Sequence, residues 1–162
     1  MLCAGFPDRV YTSEEVKKAK RLVDEGYRHR LKIIGSKVFR QRVGEALKLV
    51  KVAGYYDFLR AYVRKIEEVD GLTQLRNADA AIWANKYTVE NPVDAASVFV
   101  QKASAMQEYL ELKHYYSGEA EKRLVKKRIE FLEKLESKSK EPRIIAECER
   151  LLELWREGSL AY

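Results

Sequence analysis

The apolar residues of this chain recur at the three- and four-residue spacing of a helix along almost its whole length. No stretch alternates apolar and polar residues over enough positions to predict a strand. The pattern therefore predicts an all-α fold, in which a basic N-terminal helix-turn-helix arm is followed by a helical bundle. We place the arm at residues 1–70 and the bundle at residues 71–162.

Capping residues and glycines divide the chain into seven predicted helices. The clearest start combines Asn91 as N-cap with Pro92 at the first helical position and Asp94 in the first turn. By the same signals, helices are predicted over about residues 12–26, 37–53, 55–69, 73–87, 92–116, 119–137 and 142–157.

Positive charge is concentrated in the first part of the chain. Residues 1–65 hold sixteen Lys and Arg against seven Asp and Glu, a balance of +9, whereas residues 66–162 hold fifteen against eighteen, a balance of −3. A basic half joined to a mildly acidic half indicates a polyanion on one side and protein neighbours on the other. We therefore expect the arm, residues 1–70, to face nucleic acid and the bundle, residues 71–162, to face its neighbours in an assembly.

The predicted helix over residues 37–53 gathers part of this charge on one side. At 100° per residue, Lys37, Arg40, Lys48 and Lys51 fall within about 80°, with Gly44 in the same sector. Cations along a helix can neutralise successive phosphates, and a glycine permits close approach of a backbone. The alternatives are a solvated helix face, an anionic membrane or an acidic protein. Few acidic residues stand near enough in sequence to pair with these cations.

These observations predict sequence-independent contact with the phosphates of double-stranded DNA. The candidate nucleic-acid-binding residues are Arg28, Arg30, Lys32, Lys37, Arg40, Arg42, Lys48 and Lys51. Tyrosines interleave with them, among them Tyr55 and Tyr56, and could stack on bases. We interpret them instead as residues at the edge of the core or at an interface, where the ring is buried and the hydroxyl stays wet.

Enzyme and metal signatures are weak. Glu111 and His114 form an E-x-x-H pair, but a di-iron bundle needs a second such pair, and the only other histidine, His29, has Gly26 at the matching position. Cys3 and Cys148 are predicted to be free thiols, and no phosphate-binding loop or nucleophile motif is found. We therefore expect a protein that is not an enzyme, with no cofactor and no metal.

The +9 segment, the breaks at Gly35-Ser36 and Gly54, and the predicted bundle from Asn91 to Trp155 together resemble the major coat proteins of filamentous and rod-shaped DNA viruses of hyperthermophilic archaea. In that family an N-terminal helix-turn-helix clasps A-form DNA and a C-terminal bundle forms the outer wall, often as a dimer. The resemblance implies a structural protein that coats double-stranded DNA together with a second copy or a homologous chain. The alternatives are a small helical subunit of an RNA-guided (CRISPR-type) effector complex and a protein–protein adaptor bundle.

Localisation follows from these functions. A coat protein would reside in the virion, and either alternative would be cytoplasmic. No signal peptide is expected, because residues 1–10 lack a basic segment followed by an apolar run. Membrane contact is possible through the cations but is not indicated, since no apolar stretch approaches the eighteen or so residues that span a bilayer.

Overall fold

The computed structural model describes Glu14, residues 31–111 and residues 118–158 of the chain. The strands are β1 (Lys32–Ile34), β2 (Lys65–Val69), β3 (Gln74–Arg76) and β4 (Ala81–Asn85). The helices are α1 (Lys37–Val52), α2 (Tyr56–Tyr62), α3 (Pro92–Leu110), α4 (Gly118–Lys138) and α5 (Pro142–Arg156). A short 3-10 turn, Asn77–Asp79, precedes β4.

The prediction of an all-α fold is wrong, because the described residues include a four-stranded sheet in the order β1-β2-β4-β3. Strand β2 pairs in parallel with β1 and with β4, and β3 pairs with β4 in antiparallel fashion. The helix predicted over 55–69 ends at Tyr62, where Val63 takes an extended backbone and leads into β2. The helix predicted over 73–87 is replaced by β3 and β4.

One face of the sheet is built into the core. Because successive strand residues point to opposite faces, the register places Ile33, Ile66 and Ile82 side by side on the same face. Ile66 and Ile82 are fully buried, and Ile33 packs against the same core cluster. Helix α1 supplies Phe39 and Val43 to that cluster, so the helix is held against the sheet by burial of apolar surface.

The helices of the second half confirm the predicted caps. The side chain of Asn91 accepts hydrogen bonds from the backbone N–H groups of Val93 and Asp94 at 3.1 and 3.2 Å, and Pro92 occupies the first position of α3. Helices α4 and α5 lie where the spacing predicts them. The predicted extension of α3 beyond Glu111 and the predicted helix over 12–26 fall outside the described residues, except for Glu14, which is helical.

A polar cluster joins α3, α4 and α5 inside the bundle. The guanidinium of Arg128 donates to Asp94 Oδ1 at 2.7 Å and to Ser97 Oγ at 3.2 Å, and it lies 4.9 Å from the ring centroid of Trp155. Burial lowers the pKa of the nearby Lys102 ammonium, and the charge of Arg128 lowers it further. The bundle is therefore fixed by specific polar contacts as well as by apolar packing.

The sheet joins the two parts of the chain that the sequence divides at residue 70. Strand β2 precedes that boundary and β4 follows it, and they pair over five residues, from Lys65 with Ala81 to Val69 with Asn85. Helix α1 also packs against α3. Helix α1, which the sequence predicts to face nucleic acid, thus rests on the same core as the predicted bundle.

Candidate nucleic-acid interface

Helix α1 is fixed at both ends. At its start, Ser36 is the N-cap, and its Oγ accepts a hydrogen bond from the Phe39 N–H at 3.1 Å. After Val52 the chain turns through Ala53 and Gly54, whose φ of +83° is the left-handed backbone that glycine adopts without strain. The buried side of the helix consists of Phe39, Val43, Ala46, Leu47, Leu49 and Val50. Burial of this side fixes the rotation of α1 about its axis and therefore determines which residues face solvent.

The exposed side carries a cationic stripe, defined here as Lys37, Arg40, Lys48 and Lys51. All four side chains are exposed. Among the residues that the structure describes, none of the four forms an ion pair with a carboxylate. The stripe is therefore available to an external anion.

Two of these cations stand where they oppose the helix dipole. Lys37 and Arg40 lie at the N-terminal end of α1, whose partial positive charge disfavours a cation by roughly 0.3–1 kcal/mol. The first turn of the helix contains no acidic residue, and the carboxylate that offsets part of this cost comes from Glu68 of β2, which accepts a hydrogen bond of 2.9 Å from the Ser36 N–H. Cations at this end of the helix do not stabilise the fold. Their position therefore favours a role in binding.

The C-terminal end of the stripe is ordered by an aromatic contact. The ammonium of Lys51 lies 4.5 Å from the ring centroid of Tyr56, and the guanidinium of Arg60 lies 4.7 Å from the same centroid. A cation over a ring gains about 0.5–1 kcal/mol at an exposed site. Tyr56 thus holds Lys51 in place, which agrees with the interpretation of this tyrosine as a core-edge residue.

Gly44 lies midway along the stripe, in the interior of the helix. A Cβ atom added at this position would have no heavy atom within 4 Å, so packing in the chain does not require a glycine here. Glycine inside a helix costs roughly 0.5–1 kcal/mol relative to alanine. The fold tolerates a destabilising residue at the centre of the charged side.

The structure separates the other predicted contact residues from the stripe. Arg42 lies on the flank of α1 and pairs with Glu90 at 3.5 Å. Lys32 is exposed on β1, but its register with Lys65 puts it on the sheet face opposite the core, away from α1. Arg28 and Arg30 fall outside the described residues. Four of the eight candidates are therefore brought together.

Two features of the described residues were not predicted, one on α1 and one on the sheet. Val38 and Val52, at opposite ends of α1, are 56% and 45% exposed and add apolar surface beside the cations. On the sheet, the Arg76 guanidinium stacks over Trp83 at 4.3 Å from the ring centroid. The exposed valines could have been predicted, because Val38 and Val52 fall outside the buried sector of the helical wheel. The contact between Arg76 and Trp83 could not, because it depends on the pairing of β3 with β4 and the sequence in this region predicts a helix.

Residues that could support catalysis or metal binding are dispersed in the described part of the chain. There, no three His, Cys, Asp or Glu side chains form a group that could hold a metal ion. Cys148 is buried, and burial, reinforced by Glu136, Glu147 and Glu149, raises the pKa of its thiol to about 12. A thiol of this kind is a poor nucleophile at neutral pH. His29, His114 and Cys3 fall outside the described residues.

Comparisons of the chain with known protein families, with curated proteins and with solved structures each found no match. Over the same described residues, no helix combines the length and the apolar character needed to cross a bilayer. Among the described residues, the cationic stripe of α1 is the candidate interface.

Proposed function

We propose that this protein binds double-stranded DNA without catalysis, through contacts between the cationic stripe of α1 and backbone phosphates. One observation carries the proposal: four exposed cations without acidic partners among the described residues share one side of a helix whose other side is buried. A merely soluble surface would not need its cations aligned or free of carboxylates. Binding of this kind does not depend on base sequence, because phosphates carry no sequence information.

The energetics of such binding are dominated by counterion release. Each phosphate that a Lys or Arg neutralises frees condensed counterions, so affinity falls with salt. Four contacts correspond to a slope of about −3.6 in a plot of log affinity against log salt concentration. The attachment of α1 to the core adds to affinity, because the backbone that carries the cations is already ordered and only the side chains lose freedom when DNA binds.

Packaging of DNA in a coat is the form of this function that the charge distribution favours. The +9 balance of residues 1–65 suits DNA, and the −3 balance of residues 66–162 suits packing of chains side by side. The helical arm implied by the coat-protein resemblance is not part of this proposal, since β1, α1, α2 and β2 belong to a sheet-containing fold. The proposed partners are the DNA and further copies of this chain or a homologous one.

The test is a titration of duplex DNA at several salt concentrations. The test variant carries Lys37→Glu, Arg40→Glu, Lys48→Glu and Lys51→Glu. A matched variant makes the same charge change on α4 and just beyond it, at four exposed lysines: Lys126, Lys134, Lys138 and Lys140. We expect the stripe variant to lose salt-dependent binding while the matched variant keeps most of it, with both retaining the circular dichroism of the parent.

Three outcomes separate the proposal from its alternatives. Retained binding by the stripe variant, or equal loss by both variants, would contradict the assignment of the interface. Salt-sensitive binding by the parent without filaments in negative-stain microscopy of long duplexes would remove the coat role and favour a subunit of a nucleic-acid complex. No binding by the parent at low salt would leave an adaptor protein.

A further inference from the structure

We infer that α1 bridges the two backbones of a duplex across the major groove, with Gly44 over the open groove. The inference rests on the proposed function and adds the geometry of the complex. It follows from three observations: the cations of the stripe occur as two pairs, the segment between the pairs offers no available cation, and the centre of that segment is a glycine.

The two pairs are separated by a distance that suits one groove. Lys37 and Arg40 form the first pair, and Lys48 and Lys51 form the second. Their midpoints are eleven residues apart, which is about 17 Å along the helix axis. The major groove of B-form DNA is about 12 Å wide and the minor groove about 6 Å. The separation of the pairs exceeds the width of the major groove by about 5 Å, which puts each pair just outside a rim, whereas it exceeds the width of the minor groove by about 11 Å.

The interval between the pairs argues against a single strand lying along the helix. Such a strand would place phosphates opposite the middle of α1 as well as its ends. There the exposed side chains are Gln41 and Glu45, and the one cation of this interval, Arg42, is turned to the flank and paired with Glu90. A phosphate opposite the middle of α1 would meet the carboxylate of Glu45 and no available cation. In a duplex the middle of α1 faces the open groove, where there is no phosphate backbone.

Gly44 completes the geometry. It lies in the stripe between the two pairs and has no neighbour that excludes a side chain. A bridging helix places this position over the open groove, which is about 8.5 Å deep, so no phosphate faces it. The absence of a cation at this point therefore costs the complex nothing. Gln41 and Glu45 are the exposed polar side chains on either side of it.

The inference is tested by fluorescence anisotropy with a 20-bp duplex and a 20-nucleotide oligo-dT at one salt concentration. We expect the parent to bind the duplex at least ten-fold more tightly than the single strand. Two half-stripe variants, Lys37→Gln with Arg40→Gln and Lys48→Gln with Lys51→Gln, should each lose most of that preference. Each should also reduce the salt slope for the duplex by about 1.8, which corresponds to two phosphate contacts.

Gly44 has its own pair of variants. Gly44→Ala and Gly44→Leu should both keep duplex affinity within about five-fold of the parent, because the open groove has room for the side chain, and Gly44→Ala should also raise the melting temperature. A larger loss of duplex binding by a folded Gly44→Ala protein, parent-like binding by either half-stripe variant, or equal affinity for duplex and single strand would overturn the bridging geometry. These results are distinguishable from failure of the proposed function, in which the four-residue Glu variant would still bind the duplex.

Discussion

The backbone N–H of Ser36 donates a hydrogen bond of 2.9 Å to Glu68 Oε1, which ties the N-cap of α1 to strand β2. The two residues are 32 positions apart in sequence. The carboxylate also brings negative charge to the end of the helix where Lys37 and Arg40 stand, and a helix N-terminus favours such a charge. Glu68 therefore fixes where α1 begins and supplies from a strand the acidic group that the first turn lacks.

Removal of this carboxylate should loosen the start of α1. We expect Glu68→Ala to lower the free energy of unfolding by about 1 kcal/mol, because the Ser36 N–H loses its partner. Glu68→Gln keeps an acceptor oxygen and should lose less. Urea denaturation followed by circular dichroism measures both variants. A Glu68→Ala protein as stable as the parent would show that the bond contributes nothing to the fold.

Gly35 is predicted to be intolerant of any side chain. A Cβ atom there would lie 2.7 Å from the Phe39 ring and 2.8 Å from Glu68 Cβ, and neither group can withdraw without disturbing the start of α1. We expect Gly35→Ala to destabilise the protein by roughly 2 kcal/mol, in the range of overpacked sites. Gly71→Ala is the matched control, since no atom would contact its Cβ. Equal thermal stability of the two variants would contradict the close packing at Gly35.

Truncation tests whether the second half of the chain can fold alone. A protein of residues 71–162 would lack β2, the hydrogen-bonded neighbour of β4, and α1, which packs on α3. We expect it to expose buried apolar surface and to show no cooperative thermal unfolding, in contrast to the full chain. Calorimetry distinguishes the two outcomes. A sharp transition in the truncated protein would show that the predicted domain boundary at residue 70 is a real folding boundary.

Glu147 should make stability depend on acid pH. Hydrogen bonds from Arg150 lower the pKa of its carboxyl, partial burial opposes this, and a bond of 2.7 Å from Asn91 Nδ2 lowers the pKa further. Because the folded-state pKa lies below the unfolded value of about 4.5, the folded state binds fewer protons. The stabilisation is present above that value and is lost as the pH falls through the folded pKa.

The measurement compares the parent with Glu147→Gln by urea denaturation at several pH values. We expect the variant to be less stable by about 1 kcal/mol at pH 7, with the difference shrinking in acid as the parent loses its charged pair. Arg150→Gln is a useful control, since it removes the main partner and should flatten the same pH dependence. A difference that is constant with pH would show that ionisation of Glu147 is not the cause.

The sequence predicts the long helices well and the sheet not at all. Asn91 with Pro92, and Pro142, are local start signals, and a long amphipathic helix repeats its pattern several times. Strand β1 has three residues, and β2 buries only Ile66 fully, so neither offers enough alternation to detect. The spacing of Tyr62, Ile66 and Val69 also matches a helix, although Val63 starts an extended segment between them. Whether such a segment forms a strand depends on its pairing with strands that are distant in sequence, and the local sequence does not show that pairing.

For the candidate interface, the sequence predicts that the four cations of the stripe share one side of α1, because the rotation of the helix follows from its own apolar residues. The sequence does not predict where Arg42 and Lys32 lie relative to that stripe, since charge alone does not reveal which face a residue occupies or which partner it meets. Glu90 lies 48 positions from Arg42, and the face of Lys32 is set by the register of β1 with β2. Both depend on tertiary contacts that the helical wheel of a single segment cannot contain.

Helix α1 belongs to the connection between two adjacent parallel strands, and this has a thermodynamic consequence. A ligand that binds α1 only when the chain is folded shifts the folding equilibrium towards the folded state. At a free ligand concentration one hundred times Kd, this linkage adds about 2.7 kcal/mol to the free energy of unfolding. If the proposed DNA binding is correct, the melting temperature reports the occupancy of α1, and the thermal stability of the protein depends on the DNA concentration as well as on the chain.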